Sequence, residues 1–272
     1  MTTIAFIGGG NMASAILGGL IENGYDSQSI FVSDPSQEKL DELAKQFNIN
    51  TNSNNETVIA QADVVILAVK PQVMQQVISP LKSALDKKKP LIISVAAGIS
   101  LESLSTWTSS NLSIVRCMPN TPALVQQGAS GLLANENVSD SEKELTNSIL
   151  SAVGISVWVN SERELDAVTA LSGSGPAYFF LFIESMISAG EQLGLTGETA
   201  KQLALQTALG AATMASKSEL EPAQLRKNVT SPNGTTEQAI LSFQKQGLEA
   251  SVKTAMQAAF NRSIELSKEL AK

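Results

Sequence analysis

The chain has 272 residues, 43% hydrophobic and 17% charged, a globular balance long enough for one large domain or two ordinary ones. A formal net charge of −7 excludes non-specific nucleic-acid binding, which needs a basic surface. With one cysteine and no histidine, the sequence excludes an intramolecular disulfide, a cysteine-based zinc site, Ser-His and Cys-His triads and histidine-ligated metals, so no metal is expected and any proton must come from another source.

Ile4-Ala5-Phe6-Ile7 reads as a buried strand, followed at once by Gly8-Gly9-Gly10 and an apolar-periodic helix over residues 12–20. Strand, glycine turn and helix start in this order match the dinucleotide-binding fingerprint G-x-G-x-x-A, carried by Gly8, Gly10 and Ala13. Gly8 allows the tight turn, Gly10 lets the backbone approach a pyrophosphate, and Ala13 lets the helix pack closely on the strand. The helix start adds unpaired N–H donors and a partial positive charge. Residues 30–33 form the second strand, Asp34-Pro35-Ser36 a turn and helix cap, and a helix runs to Phe47. A short strand over 49–51 and a polar turn over 52–55 lead into a short helix carrying Val58 and Ile59.

The continuous apolar run 64–69 is expected of a parallel strand covered on both faces; Lys70-Pro71 ends it, and a helix follows towards Leu85. Residues 91–95 are the next strand, opening into Ala96-Ala97-Gly98, with a helix over 101–107 and a strand over 113–117. Cys117, within this last apolar run, reads as a buried structural thiol. Strands at 131–133 and 157–159 around a helix at 141–153 complete the edge of the same domain. This alternation predicts a doubly wound parallel sheet.

From Leu165 the strand pattern disappears, leaving helices over 177–193, over 199–216, and from Thr235 onward with a break near Gly247. Their faces are broad, alanine-rich and apolar, with little core of their own, which predicts a swapped or intertwined dimer. The division expected is 1–160 for the sheet domain and 161–272 for an all-α domain. The longest apolar run, 178–183, stops at Glu184, short of the ~20 residues that span a bilayer, and the opening residues enter a strand with no basic leader pattern. A cytoplasmic protein with no membrane partner is expected.

In a doubly wound sheet, ligands bind outside the carboxyl ends of the strands. The residues there are Gly8-Gly9-Gly10, Ser33-Asp34, Ala68-Val69-Lys70-Pro71, Ala96-Ala97-Gly98 and Met118-Pro119-Asn120-Thr121-Pro122. Lys70 is the one cation among them, and reads equally well as a surface lysine at a strand end. Asp34 has two readings. It either accepts the adenosine ribose 2′-hydroxyl, favouring NADH, or caps its turn while Ser33 and Ser36 donate to the 2′-phosphate of NADPH. Further on, 172–178 mixes small and hydroxyl residues at a helix start, as a polar pocket or a close helix approach. The polar loop 228–236 ends in two hydroxyls and helix-start amides, suited either to a carboxylate anion or to a plain N-cap.

Taken together, Phe6-Ile7-Gly8-Gly9-Gly10-Asn11-Met12, Ala68-Val69-Lys70-Pro71, Met118-Pro119-Asn120-Thr121-Pro122, Ser172-Gly173-Ser174-Gly175-Pro176-Ala177-Tyr178 and Ser231-Pro232-Asn233-Gly234-Thr235-Thr236 closely resemble pyrroline-5-carboxylate reductase, in order and over essentially the whole chain. One departure is Asn233, where that family usually has a second glycine; asparagine also tolerates left-handed backbone angles. The resemblance implies an N-terminal Rossmann-type domain and an all-α C-terminal dimerisation domain. It implies hydride transfer from NADPH, with NADH also accepted, to the C=N carbon of 1-pyrroline-5-carboxylate, giving L-proline. Homodimers through the helical domain, often assembled into a larger ring, are implied as well.

Carried over by motif, the pyrophosphate lies on Gly8, Gly9, Gly10, Asn11 and Met12. Asn55 and the loop Ala68, Val69, Lys70 and Pro71 contact the adenosine side with Ser33 and Asp34, and Ala96 and Ala97 hold the nicotinamide end. Ser231, Gly234, Thr235 and Thr236 receive the substrate carboxylate and ring, with Glu219, Asn228 and Val229 nearby from the partner subunit. A cyclic imine reacts as its protonated iminium, which already carries its proton, so positioning and shielding matter more than a histidine acid. The Thr236 hydroxyl is the candidate to hydrogen-bond the ring nitrogen or relay a proton. Two rivals are a β-hydroxyacid dehydrogenase, which needs a lysine where this chain has Phe179, and a non-catalytic NAD(P)-sensing module.

Overall fold

The computed structural model describes residues 2–271. They divide into two compact units: one gathers the described residues up to Ser174 and those from Ala259 onward, and the other is Gly175–Ala258.

The first unit opens with β1 (Ile4–Ile7), α1 (Asn11–Glu22), β2 (Ile30–Ser33), α2 (Gln37–Phe47), β3 (Asn50–Asn52), α3 (Asn55–Ile59) and β4 (Val64–Leu67). Pro71 and Pro80 lie first and second in two 3-10 turns, because proline fits the first turn of a helix but not its interior. The single helix expected towards Leu85 is therefore two short ones, α4 (Met74–Ile78) and α5 (Lys82–Lys88). Then come β5 (Leu91–Ser94), α6 (Leu101–Trp107), β6 (Ile114–Met118), β7 (Gly128–Ala134), α7 (Asp140–Leu150), β8 (Gly154–Trp158) and α8 (Glu162–Val168).

The strands form one sheet of order β3-β2-β1-β4-β5-β6-β7-β8. Consecutive strand residues alternate between two cores: Ile4, Phe6, Val64 and Ile66 join one, and Ala5, Ile7, Val65 and Leu67 the other. That double coverage is why these strands are apolar throughout. The first six strands are parallel, but β7 runs antiparallel to β6, with Gly131 opposite Met118, and β8 follows β7 in parallel. The doubly wound sheet is thus mostly parallel, with one antiparallel pair near its edge. Residues 119–127 are too few for a parallel crossover, which takes roughly a dozen or more.

The second unit holds α9 (Gly175–Gln192), α10 (Gly197–Lys217), α11 (Pro222–Asn228), α12 (Thr235–Lys245) and the start of α13 (Leu248–Leu270). The break at Gly247 is present, with φ +77°. The short helix α11 escapes the apolar pattern, although Pro222 at its first position and Arg226 and Lys227 in its last turn are helix-end signals. Among the described residues of these helices, only Gly175, Ala200 and Ala204 are buried within the unit. No described helix is long and apolar enough to cross a membrane.

Candidate active site

The glycine turn is shaped by its neighbours on one side and open on the other. Gly8 has φ +99°, and a Cβ there would lie 2.9 Å from the Ala68 carbonyl oxygen, so a side chain is excluded by conformation and by space. Around Gly10 a Cβ would meet nothing within 4 Å. The protein does not require Gly10 to be small; an approaching pyrophosphate does. Gly10 is also the N-cap of α1, with no side-chain cap and no acidic residue in the first turn, so the helix keeps its unpaired amides and positive end for an anion. These residues fit a bound dinucleotide.

At the adenosine side, Asp34 is 7% exposed and has three donors. Its Oδ2 accepts the Gly9 amide at 2.9 Å and lies 3.1 Å from the Lys39 ammonium, and its Oδ1 accepts the Ser36 amide at 3.0 Å. Burial alone would raise its pKa, but the Gly9 and Ser36 amides and the Lys39 ammonium outweigh that and hold the carboxyl below its ordinary value. Ser36 caps α2, accepting the Lys39 amide. Ser33 is fully buried and donates to Asn55 Oδ1 at 2.7 Å, so it orients Asn55, which is half-buried at the first position of α3.

Ala68, Val69 and Pro71 are half-buried beside the glycine turn, and Lys70 is exposed. Ala96 is buried and Ala97 exposed at the end of β5. Asn120 ties two motifs together: its Oδ1 accepts the Ala129 amide at 2.9 Å, and its Nδ2 donates to the Ser172 carbonyl at 3.1 Å. Ser172 lies in a π-helical turn over Thr169–Gly173, the kind of irregularity that recurs at functional sites. Cys117 is buried and its thiol is pushed up to about 12 by desolvation, with Ser130 hydrogen-bonded to it, so it is an inert core residue.

The remaining expected residues all lie in the second unit. Glu219 is exposed between α10 and α11; Asn228 ends α11, its Oδ1 accepting from Gln224 at 2.8 Å; Val229 is 61% exposed. From Ser231 the chain turns, with the Gly234 amide donating to the Ser231 carbonyl at 3.0 Å and Asn233 left-handed at φ +60°. Gly234 is the N-cap of α12 and brings no capping side chain. The Asn233 amide is taken by Glu237 at 2.7 Å, and the amides of Thr235 and Thr236, in the first turn of α12, have no partner inside the helix.

The family model for pyrroline-5-carboxylate reductase dimerisation matches residues 162–266, and a model for NADP oxidoreductase, coenzyme F420-dependent, matches residues 3–98. A pyrroline-5-carboxylate reductase of Pseudomonas aeruginosa is 55% identical over 98% of this chain and 97% of its own length. The chain belongs to the pyrroline-5-carboxylate reductase family. Among solved structures, a pyrroline-5-carboxylate reductase from Coxiella burnetii superposes with a TM-score of 0.95 at 48% identity, covering 98% of both chains. The Plasmodium falciparum pyrroline carboxylate reductase with NADP bound superposes with a TM-score of 0.85 at 34% identity, again over 98% of each.

A reductase of this family is an NAD(P)-dependent oxidoreductase acting on a C=N bond, and its dimerisation region makes it a homo-oligomer. The β-hydroxyacid dehydrogenase and sensor readings fall away. Three of the reductase's residues have partners that the sequence does not show. Lys39 is hidden because its link to Asp34 is a matter of helix geometry, although a cation in the first turn after β2 is a usable signal. Asn120 is hidden because its partners lie in two other segments. Arg116, an ion in an otherwise apolar strand, is visible in the sequence, but its partner Glu162 is not.

Proposed function

We propose that the chain reduces 1-pyrroline-5-carboxylate to L-proline with NADPH, accepting NADH as well, and that its own motifs carry the roles expected of them. The observation that carries this reading is the uncapped start of α12 after the left-handed Asn233, where the first-turn amides and the hydroxyl-bearing Thr235 and Thr236 can receive a carboxylate.

Gly8, Gly9, Gly10, Asn11 and Met12 hold the pyrophosphate against the positive end of α1. Asn55, oriented by Ser33, and Ala68, Val69, Lys70 and Pro71 flank the adenosine. Asp34 fastens the glycine turn and does not reach for the ribose, which leaves room for a 2′-phosphate beside Ser36 and Lys39. Ala96 and Ala97 border the nicotinamide. The bound cofactor supplies a hydride to the C=N carbon.

Ser231, Gly234, Thr235 and Thr236 anchor the substrate carboxylate, with Glu219, Asn228 and Val229 beside the ring. Thr236 hydrogen-bonds the ring nitrogen and keeps its proton in place; the iminium needs no histidine because it arrives protonated. The helical segment 161–272 forms the dimer, dimers assemble into a ring, the sheet domain is 1–160, and the protein works in the cytoplasm.

Incubation with pyrroline-5-carboxylate and each reduced cofactor, following the loss of nicotinamide absorbance, tests the activity; no turnover with either rejects it. Thr236→Ala tests the catalytic assignment: kcat falls if Thr236 serves the ring nitrogen, whereas a change in substrate KM alone removes that role.

A further inference from the structure

The carboxylate of Glu162, in the first turn of α8, makes two connections at once. Its Oε1 accepts the backbone amide of Leu101 at 2.8 Å, and its Oε2 pairs with the Arg116 guanidinium. Leu101 is the first residue of α6, so its amide has no partner inside the helix, and a carboxylate there also meets the positive helix end. The segment entering α6 is the loop that carries Ala96 and Ala97.

Arg116 is buried in the middle of β6. A second carboxylate, Asp166, lies one helical turn beyond Glu162 and is likewise buried. It adds to the charge around the guanidinium and accepts the Ser263 hydroxyl at 2.6 Å. From Ser263 the end of α13 continues to Leu266 and Leu270, and a Cβ on Gly98 would lie 3.0 Å from Leu270 Cδ1. Gly98, at φ +75°, is the middle of the same loop. The loop is therefore held at its exit by Glu162 and at its centre by Leu270, and both holds trace back to α8.

Packing alone does not call for this arrangement. A part-buried ion pair is often no more stabilising than apolar side chains of the same volume, whereas a carboxylate held by a buried guanidinium gives one backbone amide a definite position. The proposed mechanism uses neither Arg116 nor Glu162. We propose that Glu162, held by Arg116, is a positioning residue for the nicotinamide end of the cofactor, acting through the Leu101 amide on the Ala96–Gly98 loop. This rests on the proposed assignment of that loop to the nicotinamide.

The test compares Glu162→Gln, the double variant R116M/E162Q and Ala97→Val in the full chain. Glu162→Gln keeps the size of the side chain, but a carboxamide cannot serve both Leu101 and Arg116 as acceptor. The expected result is a roughly fivefold to tenfold rise in the KM for NADPH, the scale of one lost positioning hydrogen bond. The deuterium isotope effect on kcat is expected to rise when NADPH carries the label at the transferred position, and the substrate KM to stay unchanged. A purely structural role would lower the melting temperature and the active fraction, moving neither the cofactor KM nor the isotope effect. If E162Q folds poorly with Arg116 left uncompensated, R116M/E162Q removes both charges and is expected to show the same cofactor defect. Parental cofactor KM and isotope effect in a folded variant overturn the inference. Ala97→Val separates the two levels: if it leaves the cofactor KM unchanged, the loop assignment fails and takes the inference with it. If it raises that KM while Glu162→Gln does not, only the positioning role fails.

Discussion

The backbone amide of Gly9 donates to Oδ2 of Asp34 across 2.9 Å, so the glycine turn after β1 is fastened by the residue that follows β2. The same oxygen takes the Lys39 ammonium at 3.1 Å. With its carboxylate engaged and almost buried, Asp34 is a weak partner for a ribose hydroxyl, and Lys39, whose side chain is 43% exposed, is the cation proposed to meet a 2′-phosphate. Lys39→Ala is expected to lower kcat/KM for NADPH roughly threefold to tenfold, the range of one charge-assisted hydrogen bond at a part-exposed site, and to leave NADH nearly unchanged. Steady-state kinetics with both cofactors check this. Equal losses would mean that Lys39 acts only through Asp34.

The depressed pKa of Asp34 gives a pH signature. A carboxyl whose folded value lies below its unfolded value, ordinarily about 3.9, adds stability that is fully present above the unfolded value. That contribution is lost as pH falls through the folded value. The stability difference between the parent and Asp34→Asn is therefore expected to be constant from about pH 5 to pH 8 and to shrink below about pH 4. Urea denaturation at neutral, mildly acidic and strongly acidic pH measures it. A difference that grows on acidification would contradict the assignment.

Asn233 occupies the left-handed region that glycine would adopt freely, and its amide is held by Glu237. Asn233→Gly is expected to keep the substrate KM within about twofold, because the turn is available to both residues. A β-branched residue has no low-energy state at this φ, so Asn233→Val is expected to raise the substrate KM by roughly tenfold, with the cofactor KM unchanged. If Asn233→Val binds substrate normally, the turn does not shape the carboxylate site.

The Asn120 carboxamide uses both of its ends, on the Ala129 amide and the Ser172 carbonyl. Asn120→Ala leaves both groups unpaired beside a buried position, at a cost of about 1–3 kcal/mol for each. Asn120→Asp is the sharper variant. It still accepts from Ala129, but it sets a negative oxygen against the Ser172 carbonyl, so it is expected to lower both kcat and the melting temperature. Recovery of activity at low pH, where the carboxyl is protonated and donates again, would identify the hydrogen bond to Ser172 as the cause.

Much of the sheet is legible from the sequence because a strand buried on both faces must be apolar throughout, as Val64 to Leu67 are. Strand direction is less visible. Only the shortness of 119–127 shows that β7 turns back, since its apolar residues suit either direction. At the site, the glycine turn can be read locally because each of its requirements falls on neighbouring residues. The two readings of Asp34 cannot be separated that way. Their difference lies in an amide from Gly9, 25 residues away. Glu162 and Arg116, 46 residues apart, are equally silent, because a single charge in a strand does not say which helix will neutralise it.

The second unit makes the clearest demand on assembly. Phe179, Phe180 and Leu181 are successive residues of α9, about 100° apart around the helix, yet they are 70%, 65% and 64% exposed. The bare surface therefore spans about 200° of the helix circumference. Burying those three side chains gives about 1.5–3 kcal/mol each, which only a second copy wrapped around α9 can supply in a homo-oligomer. Phe180→Asp is expected to abolish assembly. A charge buried there has no partner, and a unit with so few buried residues of its own has nothing to fall back on. Sedimentation velocity on the parent and on Phe180→Asp, with circular dichroism at 222 nm as an order-of-magnitude gauge of helix content, checks both halves of the claim. The parent is expected to sediment as a dimer or larger. The variant is expected to lose assembly and helicity together, and a helical, monomeric Phe180→Asp would show that the unit folds without its partner.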